Sequence, residues 1–342
     1  MKRIYFQLCA LFVLFTFFSC TKTSIPYTQS GNWVTESQLN GPARSEAVSF
    51  VIGNFAYLGT GWDGLNTRYN DFWRYDPKAN VWTQAASMPA NTNRSSAIGF
   101  STGSKGYVGT GYDGLNYLND FYEFDSDLNS WLPKANFPGS PRYESLAFGL
   151  GSYGYVGTGF DGSNALKDFY RYNPSDDTWL DIGFSGNKRY GGIAFTYNNR
   201  AYVVTGVNSG TMVNDFWVFD PASDTAKWSE LNHITNYTDE SFDDSYTTIA
   251  RWNGSAFVIG DQAYISTGEN GVYYTYTWQY DFADDLWTEK TPFEGPPTTG
   301  AVGFSVGNGG FIGTGRSAAG QAGASDFLRQ FFPDQTQNPN DN

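Results

Sequence analysis

Short apolar runs punctuated by Gly, Asn, Asp and Pro recur from Gly31 to Pro333. Residues 47–52 and 55–58 are apolar enough for strands buried on both faces, whereas Phe72-Trp73-Arg74-Tyr75 mixes polar and apolar positions as an outer strand does. Gly53-Asn54, Asp63-Gly64 and Asp76-Pro77 supply turns between such runs. The pattern predicts a four-stranded antiparallel meander with essentially no helix, and the meander repeats. A glycine that closes a Gly-Thr-Gly or Thr-Gly signature recurs at Gly61, Gly111, Gly159, Gly206, Gly268 and Gly315, at intervals of 47 to 50 residues except for one of 62. A strand Trp follows at Trp82, Trp131, Trp179, Trp228 and Trp287. The sixth copy ends at Phe331-Phe332-Pro333 without its Trp strand, yet an orphan one, Gly31-Asn32-Trp33-Val34-Thr35, precedes the first copy. A period near 50 with four short strands per unit predicts an all-β, six-bladed β-propeller over residues 31–333, its ring closed by the N-terminal strand. Residues 334–342 form a polar tail. Aromatic residues make up 18 % of the chain and glycines number 39, which suits wedges filled by flat rings and close backbone approach near an axis.

The repeats resemble the kelch family. The resemblance rests on Tyr107 to Gly111 and Tyr155 to Gly159, on the Asn-Asp-Phe-x-x-Phe/Tyr-Asp segments Asn119 to Asp125 and Asn214 to Asp220, and on the Trp that follows. The family's paired glycines stand here as Gly-Thr-Gly or Thr-Gly. Kelch propellers mostly bind proteins and a minority act on sugars, so the resemblance implies a fold and leaves function to be argued from a site.

The N-terminus points to the cell envelope. Lys2-Arg3, an apolar run from Ile4 to Phe18 and then Ser19-Cys20 resemble a lipoprotein signal peptide (residues 1–19) with the lipobox Phe17-Phe18-Ser19-Cys20. Acylated Cys20 would tether the domain through residues 20–30. The expected location is the outer membrane of a Gram-negative bacterium, on its periplasmic side, with lipid as the sole membrane contact and the protein a monomer. Loss of residues 1–19 removes Lys2 and Arg3, so the net charge moves from −13 to −15; such an acidic body disfavours nucleic acid as a partner. Cys9 leaves with the signal and Cys20 carries lipid, leaving the propeller without thiol or disulfide. The single His233 argues against zinc sites and His-centred triads, and the missing His and Cys exclude the copper chemistry of galactose oxidase. No metal or other cofactor is expected. A calcium loop at Asp63, Asn66 and Asn70 would lack the alternating oxygen spacing, broken by Gly64-Leu65.

Three repeated features should share one face, because strand direction alternates within a blade. Arg44, Arg94, Arg142, Arg189 and Arg251 start the innermost strands, with Thr298-Thr299 in the sixth copy; around a channel mouth they would trap carboxylate or phosphate. The other reading pairs each Arg within or between blades with Glu46, Glu144, Asp71, Asp120, Asp168 or Asp215. An aromatic followed by Asp-Gly recurs at Trp62-Asp63, Tyr112-Asp113 and Phe160-Asp161, either a platform with carboxylates for sugars or ordinary turn chemistry. The insertion between Trp228 and Arg251 carries Tyr237, Asp239, Glu240, Phe242, Asp243, Asp244 and Tyr246, and reads as a functional loop or an acidic flap. Asp224-Thr225-Ala226 also resembles a short O-glycosylation signal of exported Bacteroidetes proteins.

These observations favour a lipid-anchored binding module for a protein or glycan ligand, taken as an anion by the Arg-bearing rim. One alternative is a periplasmic mutarotase or epimerase similar to those acting on sialic acid, with Glu46, Glu144 or Glu269 as acid and base. The other is a scaffold without a small-molecule site.

Overall fold

The computed structural model describes residues 29–224, 227–317 and 323–341. Six four-stranded antiparallel sheets surround an axis, with no helix among the described residues. The first blade comprises Val48–Ile52, Phe55–Gly59, Phe72–Asp76 and Val81–Ala85, from the axis outward. The innermost strands of the other five begin at Ile98, Leu146, Ile193, Ser255 and Val302, and each adjoins the next around the ring, the last adjoining the first. The sixth blade takes its outer strand from the other end of the chain: Asn32–Thr35 pairs with Leu328–Phe332, Trp33 opposite Phe331. Ring closure by the N-terminal strand is therefore as the repeat pattern predicts.

The cores lie between blades. Phe50 packs with Tyr57 and Phe72 of its own blade and Phe124 of the next, and the equivalent Phe100, Phe148 and Phe195 make similar clusters. The outer-strand Trp stitches neighbours: Trp82, Trp131, Trp179 and Trp228 donate their indole N–H to Ser37, Ala86, Ala135 and Gly183 on the preceding linker. Trp33 does the same for the closing blade, reaching the Thr291 carbonyl, and is fully buried against Phe257, Phe293 and Phe331. Phe327 joins this cluster through Phe293.

The five arginines do not form an open anion trap. Arg44, Arg94, Arg142, Arg189 and Arg251 are all buried, the first four bound to Asp71, Asp120, Asp168 and Asp215 of their own blades. Each also donates Nη1 to the carbonyl of the signature Thr: Thr60, Thr110, Thr158, Thr205 or Thr267. Those threonines, with Thr314, hold φ between 56° and 62°, a left-handed conformation that is strained for a β-branched residue. The next glycine is left-handed too; at Gly111 (φ 99°) a Cβ would lie 2.7 Å from the Ser95 carbonyl oxygen. The guanidinium thus locks a doubly left-handed turn, and that task requires burial. Burial alone would raise the Asp215 carboxyl, but the Arg189 charge, the Asn187 amide and the Trp217 indole bring it below the ordinary value.

The fifth and sixth blades depart from the rule. Tyr276 occupies the Asp position of the fifth, so Arg251 is satisfied by four carbonyls, those of Thr248, Ile249, Thr267 and Tyr276. Burial pushes Arg251 down to about 9, still protonated at neutral pH. In the sixth, Thr298 and Phe327 replace both partners.

Replacing Trp33 by Ala should cost about 3–5 kcal/mol in denaturant unfolding, and deleting residues 31–37 at least as much; an unchanged midpoint would refute closure by this strand. Arg189→Ala should also cost about 3–5 kcal/mol by stranding a carboxylate. Arg94→Ala should cost less, since the Asp120 side chain is 31 % exposed and that of Asp215 only 3 %.

Candidate functional site

Two residues after each of these arginines, and after Thr298, the chain reaches the axis. Glu46, Ser96, Glu144, Gly191, Asn253 and Gly300 all adopt φ between 51° and 63°. Each N–H donates to the carbonyl of its counterpart in the preceding blade, and Glu46 donates to Gly300, closing a cyclic chain of six backbone hydrogen bonds of 2.8–3.1 Å. The left-handed conformation turns these groups tangential to the ring, which leaves the side chains of Glu46, Ser96, Glu144 and Asn253 around a small axial cavity of about 120 Å³.

The two carboxylates here are held differently. Glu46 accepts from Ser96 Oγ at 2.7 Å, whereas Glu144 accepts from Trp252 Nε1 at 2.8 Å and Asn253 Nδ2 at 3.2 Å. Burial, and then the charge of Glu46, push Glu144 up to about 7 against the opposing effect of those two hydrogen bonds; Glu269 adds a further upward push. Glu269 itself accepts from Thr299 Oγ1 at 2.9 Å. The three carboxylates singled out in the sequence therefore sit on one face, around one mouth.

A wider ring surrounds them. The residue after each signature glycine bridges to the start of the innermost strand of its blade, which places Trp62, Tyr112, Phe160, Val207, Glu269 and Arg316 at equivalent positions. Tyr112, Tyr117, Tyr143, Phe160, Tyr190 and Trp252 form a continuous arc of ring contacts with centroids 5.0–5.9 Å apart. The remaining arc is polar and charged: Glu269, Arg316, Trp62 and Arg68. Arg316 and Arg68 lie 5.8 and 5.7 Å from the Trp62 ring, and Arg68 reaches on to Tyr112 at 4.7 Å. Neither guanidinium has a carboxylate within ion-pair distance among the described residues; Arg68 Nε donates to Ser95 Oγ at 3.3 Å. Trp62 Nε1 and Arg316 Nε are buried donors without an acceptor among the described residues.

The arginines that face the mouth are thus Arg68 and Arg316, which the repeat pattern passes over because neither occupies a repeated Arg position. Their signal in the sequence was substitution: Arg316 stands where the first three copies carry an aromatic. Asp63, Asp113 and Asp161, expected as possible sugar ligands, staple their loops by accepting from the backbone of Leu65 and Thr67, Leu115 and Asn116, and Ser163 and Asn164. Burial pushes Asp63 and Asp113 up, and to a lesser degree Asp161, but those hydrogen bonds together outweigh it and hold all three carboxyls below their usual range. Asn70 donates its amide Nδ2 to the carbonyls of Met88 and Pro89. Among the described residues, no group of three or more His, Cys, Asp or Glu is arranged to hold a metal.

The insertion is anchored between two blades while Asp239, Glu240 and Asp244 stay exposed. Ile234, Tyr246 and Ile249 are buried in the core between the fourth and fifth blades, and Asp243 is buried while accepting from the Tyr237 and Thr238 N–H groups. Tyr246 Oη accepts from the Trp287 N–H, replacing the usual indole stitch at this seam. Only parts of the loop, Tyr237 among them, remain exposed. Cys20 and Thr225 lie outside the described residues.

Residues 87–249 match the KLHDC2/KLHL20/DRC7 Kelch-repeats domain, and residues 61–89 match the Kelch motif. No curated protein sequence matches the chain. Among solved structures, one titled "Structure of YjhT" superposes with a TM-score of 0.70 at 16 % identity, over 86 % of this chain and 95 % of that one. At that identity the likeness concerns fold alone. The chain carries kelch repeats, and it builds from them a six-bladed β-propeller.

Proposed function

We propose that the protein is a lipid-anchored envelope binding module whose axial mouth takes an anionic protein segment or glycan. The observation that carries this reading is the pair Arg68 and Arg316 flanking Trp62, two guanidiniums without a carboxylate at ion-pair distance among the described residues, with the Trp62 Nε1 and Arg316's own Nε unfilled there. Guanidinium groups without an ionic partner beside an open mouth pair readily with a carboxylate, sulfate or phosphate. The aromatic arc opposite supplies a surface for rings or for the C–H face of a sugar. Exposed loop tips at Leu65, Leu115 and Val272 add apolar contact suited to a protein.

Orientation supports the same reading. The outer and third strands of the sixth blade run so that Gly31 and Gln335, joined by a backbone hydrogen bond of 3.0 Å, lie at the end opposite the mouth. A tether of residues 20–30 acylated at Cys20 would attach there, turning the mouth away from the membrane. The periplasmic side of the outer membrane remains the proposed location.

A second reading, catalysis of sugar mutarotation or epimerisation, is favoured by Glu144 alone. A carboxyl poised near neutrality can give a proton to a ring oxygen and receive one from an anomeric hydroxyl. Proton exchange on sialic acid followed by NMR would separate the two: no rate above buffer removes catalysis and leaves binding.

Arg68→Ala or Arg316→Ala should weaken an acidic ligand about tenfold or more while leaving the melting temperature nearly unchanged, measured by calorimetric titration with sialyl oligosaccharides in one arm and acidic peptides in the other. Equal affinity for the wild type and both variants in both arms would refute the site. Glu144 makes a separate prediction about pH. Its proton is held to about 7 when folded and to 4.5 in the ordinary state, so between these values the folded protein binds more protons and loses stability as pH rises. The stability difference between wild type and Glu144→Gln, from urea unfolding at a series of pH values, should therefore fall across that window and level off above it.

A further inference from the structure

The fourth blade holds a second groove, apart from the axial mouth and walled by the insertion. It encloses about 360 Å³ and is lined by Asn187, Asn208, Thr211, Met212, Asn214 and Asp215 on the blade side, with His233, Thr235 and Tyr237 facing them from the insertion. One of its polar groups, the Asn214 Oδ1, is unpartnered among the described residues, while Asn187 donates to Asp215, Asn208 accepts from Ser209 and His233 pairs with Glu230. In the first two blades the motif Asn caps the next linker, Asn70 donating to the Met88 and Pro89 carbonyls and Asn119 to that of Phe137. At Asn214 the insertion takes the place of that linker; only the backbone bond from the Ile234 N–H to the Asn214 carbonyl survives, and the side-chain Oδ1 is buried without a partner. Asp215 is fully engaged by Arg189, Asn187 and Trp217, and no Lys or Arg lines the groove. Tyr237 is 69 % exposed and lies against His233 with ring centroids 4.1 Å apart and planes tilted by 30°, an aromatic platform at the entrance.

From this groove we infer that the protein carries a binding site for a neutral saccharide, independent of the anionic site at the axis. Carboxamides and hydroxyls without a free ionic group match sugar hydroxyls, which both donate and accept; an acceptor such as Asn214 Oδ1 is completed by one hydroxyl proton. An exposed tyrosine beside such groups receives the C–H face of a pyranose. The insertion's buried residues fix the platform against the blade, so the site is largely preformed.

The test uses the full chain and a panel of uncharged disaccharides ending in glucose, galactose, mannose or N-acetylglucosamine, read by saturation-transfer NMR and calorimetry. At least one should bind at millimolar concentration. Tyr237→Ala and Asn214→Leu should each weaken it about tenfold, Tyr237→Phe should retain it, and Arg68→Ala should leave it unchanged. Tyr237 is exposed, so its variants test the site without testing the fold. Absence of binding by every disaccharide, or binding lost with Arg68→Ala and kept with Tyr237→Ala, would overturn the inference.

Discussion

A guanidinium can be taken out of water only when its N–H groups find acceptors, and in this molecule that demand organises five of the six blades. From the base of the innermost strand, Arg44 gathers the Pro42 carbonyl, the left-handed Thr60 carbonyl and both oxygens of Asp71. It thereby fixes the strand's start, the signature turn and the entry to the third strand at once. The cyclic hydrogen bonding at the axis depends on this, since each of its six members lies two residues beyond such an anchor, or beyond Thr298 in the sixth blade. Arg251 shows that the acceptors matter more than the counter-charge: four carbonyls substitute for the absent aspartate.

Repetition and departure from it divide the labour. What recurs in five of the six blades, the Trp stitch, the Phe–Tyr stack and the Arg–Thr contact, holds the ring. What differs between blades faces the mouth. The position after the signature glycine is Trp, Tyr, Phe, Val, Glu and Arg in turn, so an architecture of near sixfold symmetry presents a lopsided surface, aromatic on one side and ionic on the other. The same contrast separates the insertion from the shorter linkers around it.

The fold was legible because its determinants are periodic: glycines, strand tryptophans and a displaced N-terminal strand can be counted. The roles of the arginines were not, because a residue repeated at every channel entrance looks alike whether it points inward or is swallowed by its own blade. Only the pairing of Arg94 with Asp120, 26 residues away, decides between them, and both partners were visible without their geometry. Glu46, Glu144 and Glu269 could be named as carboxylates on the correct face, but the environment that sets Glu144 apart comes from Trp252 and Asn253, more than a hundred residues downstream. The Thr-for-Gly exchange in the signature also has its physical explanation only in three dimensions, where an arginine holds a β-branched residue in a conformation ordinarily left to glycine.

The pairing of Asn32–Thr35 with Leu328–Phe332 also sets an order of events during biogenesis. The earliest of the described strands to be synthesised is the last to find its partner, so through synthesis the growing propeller carries an open, hydrogen-bond-hungry edge at each end. Contacts spanning some 300 residues are slow to form, and exposed strand edges invite pairing between chains. An interrupted chain, however many blades it had completed, would remain a curved ribbon prone to self-association, and escorting chaperones would matter most in the interval before the C-terminus arrives.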